Sequence, residues 1–350
     1  MKFKLDFCIG LLTLSLAFLI PLMPYLFHPW LEPLGVDVKF YGVHERNMDD
    51  YLWFTDSILK GMSDMVGLEL SLKIFPVMLS IFTFFGTYMF MMGLNYSSKW
   101  CWLASLFSTM SIQVVAGLYA YVVAEWWAYA LLLPLSGLIV QHDKFKLGWN
   151  WFDRFIIAVF FGMIFLVHRF AFFVMAGLFA VYLILRLKKT IYGIISIVTL
   201  TGLIWITELD APYRDNVLFS DMALDVKIIS WFQHVIAGAH NSPLVYLGLL
   251  GAIGVVGYTL IVRSDFNKWC WMVILSSLLL PIFFSADDFA WRITYLFPYP
   301  VFATILMKWL YDRKQDWTMT LIIITIAVQF MIASTWWHNF YIHFMLYGSV

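Results

Sequence analysis

Apolar runs, each near the length of about 20 residues that carries a helix across a bilayer, recur along the whole chain between short polar intervals. The pattern predicts eleven such segments: Phe7–Phe27, Leu70–Gly93, Trp100–Leu118, Tyr121–Val140, Phe152–Val167, Phe170–Leu185, Ile191–Thr207, Pro243–Val262, Trp269–Phe284, Phe289–Leu310 and Thr318–Thr335. Val159 to Leu187 would form one overlong helix but for His168–Arg169, so the pattern predicts two short spans joined there by a tight turn. Prolines at 21, 24, 76, 134, 281, 298 and 300 are expected to end or kink the helices that hold them.

The polar intervals alternate in charge. With the N-terminus inside, Lys2 and Lys4, Lys99, Lys144 and Lys146, Arg186 with Lys188 and Lys189, Arg263 and Lys268, and Lys308 with Arg313 and Lys314 share the cytoplasmic side. That is where basic residues of short loops collect. The opposite loops are acidic, and two are long: 28–69 and 208–242. An unbroken helix through His168 would invert every later loop, which supports the turn independently. The expectation is one all-α polytopic domain over residues 1–350, with its chemistry on the outer face beneath those two loops.

Composition agrees with the periodicity. The chain is 62% hydrophobic, 19% aromatic and 13% charged, with a mean hydropathy of +0.82, far from the balance of soluble domains. Zero formal net charge gives no field suited to nucleic acid. Cys8, Cys101 and Cys270 are widely spaced in or beside apolar runs and read as packing residues. The basic lead and apolar body of the first segment resemble a signal, but no small-residue cleavage site follows, so it reads as a retained helix. Phosphate-binding glycine loops, GxSxG, HExxH and paired CxxC motifs are absent from the sequence.

The first long polar interval concentrates candidate chemistry in YGVHERNMDDYLWFTDSILK, Tyr41–Lys60. A helix over Asn47–Lys60 would align Glu45, Asp49 and Asp56 along one face and Leu52, Thr55, Leu59 and Met62 along another, as in a helix lying in the membrane interface. Three further groups stand at the same outer boundary: Glu125 near the start of the fourth span, His168–Arg169, and Asp287–Asp288 with Arg292. Ionisable residues in such positions are costly and mark function by default. Clustered carboxylates suit a hard divalent ion, and paired arginines suit phosphate oxygens. Simpler roles stay open: Glu125 bonding to a neighbouring helix, Arg169 snorkelling, Asp288 and Arg292 forming a helical ion pair, and the Trp126–Trp127 and Trp336–Trp337 pairs anchoring at the interface.

The order and style of these stretches resemble the GT-C superfamily of multi-spanning glycosyltransferases that draw sugar from polyprenyl-phosphate carriers. The similarity lies in the acidic MDDYLWFTDSILKGM of the first outer loop, LSLKIFPVMLSIFTFFGTYMFMMGL, GLYAYVVAEWWAYALLLPLSGLIV, FLVHRFAFFVMAGLFAVYLILR and the late DDFAWRITYLFPYPVFATI. The resemblance implies a catalytic acid in the first outer loop, matched here by Asp50 and then Asp49. It further implies a lipid phosphate near Arg169, Arg292 and His168, and a Mg2+ or Mn2+ ion among Glu125, Asp49 and Asp287. The acidic pair is adjacent where the superfamily often has Asp-x-Asp, and no soluble C-terminal domain follows the spans. The implied partners are a polyprenyl-phosphate-linked sugar, an acceptor glycan, lipid or protein, and the bilayer. The implied setting is the extracytoplasmic side of a prokaryotic plasma membrane, in service of the cell envelope. Rival expectations are a proton- or cation-coupled transporter, with Glu125, His168 and Asp287 as its path, and a non-catalytic subunit of a membrane complex.

Overall fold

A computed structural model of the chain describes residues 2–27, 33, 53–119, 123–145, 149–185, 188–206, 253, 296 and 298–347. Every regular element among them is an α-helix. We number these α1 (Lys2–Phe27), α2 (Trp53–Val66), α3 (Leu68–Gly93), α4 (Ser98–Thr109), α5 (Ile112–Tyr119), α6 (Val123–Phe145), α7 (Trp151–Val167), α8 (Arg169–Leu185), α9 (Thr190–Ile206), α10 (Tyr299–Asp312) and α11 (Thr318–Tyr347). Stretches of α1, α3 and α6, namely Cys8–Leu26, Leu68–Gly93 and Val123–His142, are long and apolar enough to cross a membrane. Shorter apolar stretches lie in α8, α9 and α11.

The centre of the bundle is the α3–α6 pair, which packs backbone to backbone at small residues. A Cβ on Gly86 would lie 2.9 Å from the Ala130 carbonyl, and one on Gly93 2.2 Å from the Gly137 carbonyl. Because the residue numbers rise together along the contact, the two helices are parallel. Trp126 of α6, wholly buried, donates its indole N–H to Thr83 Oγ1 of α3 at 2.8 Å. That bond satisfies the indole donor, whose burial without a partner would be costly.

Neighbouring helices alternate in direction around this pair. α1 runs against α3, since a Cβ on Gly10 would meet Trp102 while Tyr25 lies beneath the Lys73 ammonium. α4 also runs against α3: Trp102 faces Tyr88, and Ser105 Oγ donates to the Phe84 carbonyl at 3.0 Å. α7 returns along α6, α8 along α7 through Phe161 and Phe179, and α9 packs on α8 with Gly193 against Ile184. Large apolar side chains point outward from the bundle, among them Leu12 of α1, Phe82 and Met89 of α3, Phe155 of α7 and Val198 of α9. In water such surface would drive association; against lipid tails it is matched.

The break at His168 matches the sequence expectation, and two other expectations are corrected. The segment predicted as a single span, Trp100–Leu118, is two helices, α4 and α5, parted at Met110–Ser111. Ser108, Thr109 and Ser111 each donate a side-chain hydroxyl to the carbonyl three residues back, at 2.7, 2.8 and 2.8 Å. Such local bonds satisfy carbonyls freed by a helix end and make the interruption tolerable at depth. The outer-loop helix, described over Trp53–Val66, runs on past the expected end at Lys60, and it buries Asp56 beside Thr55 and Leu59. Residues 47–52 lie outside the described residues. Pro21, Pro24, Pro76 and Pro134 sit inside α1, α3 and α6, which continue through them, whereas Pro298 does stand at the start of α10. The spans expected at Pro243–Val262 and Trp269–Phe284 fall outside the described residues, apart from Ile253.

Candidate functional site

α7 ends because His168 leaves the helical conformation, at φ −155° and ψ 95°. Its backbone N–H still donates to the Ile164 carbonyl at 2.8 Å, closing α7. Its side chain then opens α8: Nδ1 accepts the Ala171 backbone N–H at 3.1 Å. One residue therefore caps both helices. A ring nitrogen that accepts a hydrogen bond carries no proton, so in neutral His168 the proton resides on Nε2.

That Nε2 lies 3.2 Å from Glu125 Oε1, and both side chains are almost fully buried. Glu125 occupies the first turn of α6, where the positive end of the helix dipole favours a carboxylate. The family resemblance gives Glu125 and His168 separate roles, and the transporter rival puts them on one path; the fold brings them into contact across 43 residues of chain. Arg169 follows as the first residue of α8, half-buried, its guanidinium 5.8 Å from the Phe165 ring centre.

α2 packs on this end of the bundle, against α3 and α7. Phe54 and Phe75 set their rings 5.7 and 5.5 Å from that of Trp127, two residues beyond Glu125. Asp56 is thereby buried at 5% exposure one turn into the covering helix. Lys73, in the second turn of α3, is buried at the same end; it pairs with Glu69 and lies 5.1 Å from the Tyr25 ring centre. Asp56 belongs to the first-loop cluster that the sequence marked as candidate chemistry, without a named role, and Lys73 was not expected there. Its signal was present all the same: a charge three or four residues from apolar positions at the mouth of a span.

Of the residues expected to act, Glu125, His168 and Arg169 are described; Glu125 and His168 are in contact, and Arg169 follows His168 in the chain. Asp49, Asp50, Asp287 and Arg292 lie outside the described residues. Among those described, no group of three or more His, Cys, Asp or Glu side chains is placed to hold a metal ion. Of the three carboxylates expected to hold an ion, Glu125 is described, and it lies against His168.

A second histidine–carboxylate contact closes the other end of the α6–α7 pair. His142 Nε2 of α6 lies 3.4 Å from Asp153 Oδ2 of α7. Asp153 and Asn150 form a reciprocal capping box at the start of α7, with Asp153 N–H donating to Asn150 Oδ1 at 2.8 Å. Glu125 and His142 are 17 positions apart on one helix, roughly 25 Å along its axis. The two contacts thus stand nearly a hydrocarbon thickness apart. No protein-family model and no curated protein matches the chain.

Proposed function

We propose that the chain is a GT-C-like glycosyltransferase, with eleven spans and a cytoplasmic N-terminus, working at the extracytoplasmic face of a prokaryotic plasma membrane. The observation that carries this is the covered end of the bundle: the acidic outer-loop helix α2 lies over the parallel α3–α6 pair where Glu125 meets His168, with Arg169 next in the chain. A lipid-linked donor needs that arrangement, a lateral apolar approach ending at buried charge beneath a polar loop.

In the proposed reaction Asp50, or Asp49 in its place, takes the proton of an acceptor hydroxyl. The acceptor oxygen bonds to the anomeric carbon as the bond from that carbon to the phosphate oxygen breaks. The polyprenyl phosphate leaves with the electron pair, its charge received by Arg169 and Arg292. His168 serves by holding Glu125. A bound Mg2+ or Mn2+ would add positive charge beside the phosphate, with Glu125, Asp49 and Asp287 as ligands. Saturable binding of a polyprenyl phosphate to the purified protein, reduced in Arg169→Ala or Arg292→Ala, is the expected result. Sugar transfer should then be lost in Asp50→Asn while lipid binding persists. Absence of binding to intact, folded protein would remove the proposal.

The Glu125–His168 contact itself favours one alternative, a proton-coupled transporter. A carboxylate and an imidazole touching inside an apolar bundle can pass a proton between them. Proton-linked uptake in vesicles that vanishes in Glu125→Gln, without any polyprenyl-phosphate binding, would select it.

A further inference from the structure

At the end of the bundle opposite Glu125, two elements about 200 residues apart in sequence exchange cations over each other's aromatic rings. The Lys99 ammonium, at the start of α4, lies 4.5 Å from the ring centre of Tyr311 in α10 and 5.3 Å from that of Trp100. In return, Lys308 of α10 lies 5.8 Å from the ring centre of Tyr96, in the turn before α4. Trp100 and Tyr311 meet edge to face at 5.5 Å. A lysine held over rings keeps its charge while surrendering mobility.

The patch is exposed and positive. Lys99, Arg313 and Lys314 face outward, and Arg313 stacks 3.6 Å above Trp309. Opposing charge comes from Asp312, paired with Lys308, and from exposed Asp316.

An apolar stripe leads to it. Phe82, Phe85, Met89 and Met92 are exposed on α3 at spacings of three and four, which places them on one face. The turn after α3 folds back at once, with Asn95 N–H donating to the Met92 carbonyl at 2.7 Å and Tyr96 N–H to the Met91 carbonyl at 3.1 Å. Asn95 takes the left-handed conformation that makes this turn possible, at φ 63°. Tyr96 and Lys99 therefore follow directly from the end of the stripe.

We infer that this surface is a binding site for an anionic phospholipid, its phosphodiester between Lys99 and Lys308 and an acyl chain along the α3 stripe. Charge complementarity chooses the headgroup, and the aromatic rings stand where such rings anchor at the membrane boundary. The site does not depend on glycosyl transfer being the activity.

The test is native mass spectrometry or equilibrium titration of the whole protein in neutral detergent, with dioleoyl phosphatidylglycerol and dioleoyl phosphatidylcholine as probes at fixed ionic strength. The phosphatidylglycerol should bind more tightly. Lys99→Gln and Lys308→Gln should each weaken it about five-fold, the scale expected for one lysine at a charged lipid surface. Asp312→Asn should tighten it, and Lys99→Arg should hold it near the wild-type level. A thermal unfolding scan of each variant separates lost binding from lost fold. Equal affinity for the two lipids would overturn the site. So would losses in Lys99→Gln no larger than in Lys188→Gln, an exposed lysine elsewhere, because the charge would then act without a place.

Discussion

His168 Nε2 stands 3.2 Å from Glu125 Oε1 while its Nδ1 receives the Ala171 N–H, so a single imidazole joins α6 to the turn between α7 and α8. Removing one partner of a buried polar contact leaves the other without compensation, at a typical cost of about 3–5 kcal/mol when charge is involved. Glu125→Ala should therefore lower the unfolding temperature far more than Glu125→Gln. At His168 the two duties separate by substitution. Asparagine is a good N-cap and can take the Ala171 N–H, but is too short to reach Glu125 as the imidazole does. Stability should fall in the order wild type, His168→Asn, His168→Ala, read by thermal unfolding in detergent. Equal losses in the two variants would remove the capping role.

The α3–α6 contact leaves no room for a methyl group. A Cβ on Gly93 would sit 2.2 Å from a backbone carbonyl, an atom that cannot swing aside as a side-chain end can. Gly93→Ala should destabilise the protein by about 1–3 kcal/mol, the usual cost of overpacking. Gly162 and Gly177, in α7 and α8, would place a Cβ in open space. Alanine there should stabilise by about 0.5–1 kcal/mol through helix propensity. Unfolding midpoints that move in one direction for all three would contradict this packing.

Exposed charges at the two ends of the bundle allow its orientation to be tested. α2 carries Asp64 exposed at the end where Glu125 lies, while Lys188 and Lys314 are exposed at the other. In Cys8→Ser/Cys101→Ser/Cys270→Ser protein, a cysteine at Asp64 should react with an impermeant maleimide in intact cells. Cysteines at Lys188 or Lys314 should react only after permeabilisation. Labelling of all three from one side would rule out the proposed orientation.

How legible this was depends on the kind of interaction. The break at His168 could be read from the sequence because an apolar run too long for the bilayer must turn, and only one polar dyad interrupts it. The break at Met110 could not: its run is of ordinary length, and hydropathy does not register the hydroxyl-to-carbonyl bonds that make an interruption tolerable. Helical phase put Asp56 on a face with Glu45 and Asp49 but left open whether that face meets solvent or the bundle; Asp56 is buried, and phase gives relative faces only. The Glu125–His168 contact depends on how α6 and α7 rotate about their axes. Local pattern carries no information on that.

At the far end of the α6–α7 pair, Asp153 has two partners, and its energetics can be resolved. Its carboxylate accepts the Asn150 N–H at 3.2 Å as half of the capping box, and the same Oδ2 lies 3.4 Å from His142. Asn150→Ala removes the other half of the box and should cost about 1 kcal/mol. Asp153→Ala should cost more, because it takes both the box and the histidine contact. Asp153 is only 15% exposed at its side chain, so this contact should exceed the few tenths typical of solvated pairs. In a double-mutant cycle, His142→Ala and Asp153→Ala should be subadditive, with a coupling of about 0.5 kcal/mol or more. Asn150→Ala with His142→Ala should be nearer to additive, since His142 reaches Asn150 only indirectly, through Asp153 and through Trp149, whose ring lies 5.2 Å from its own. Additivity in the first cycle would mean that the 3.4 Å approach contributes nothing, leaving the capping box alone to fix the start of α7.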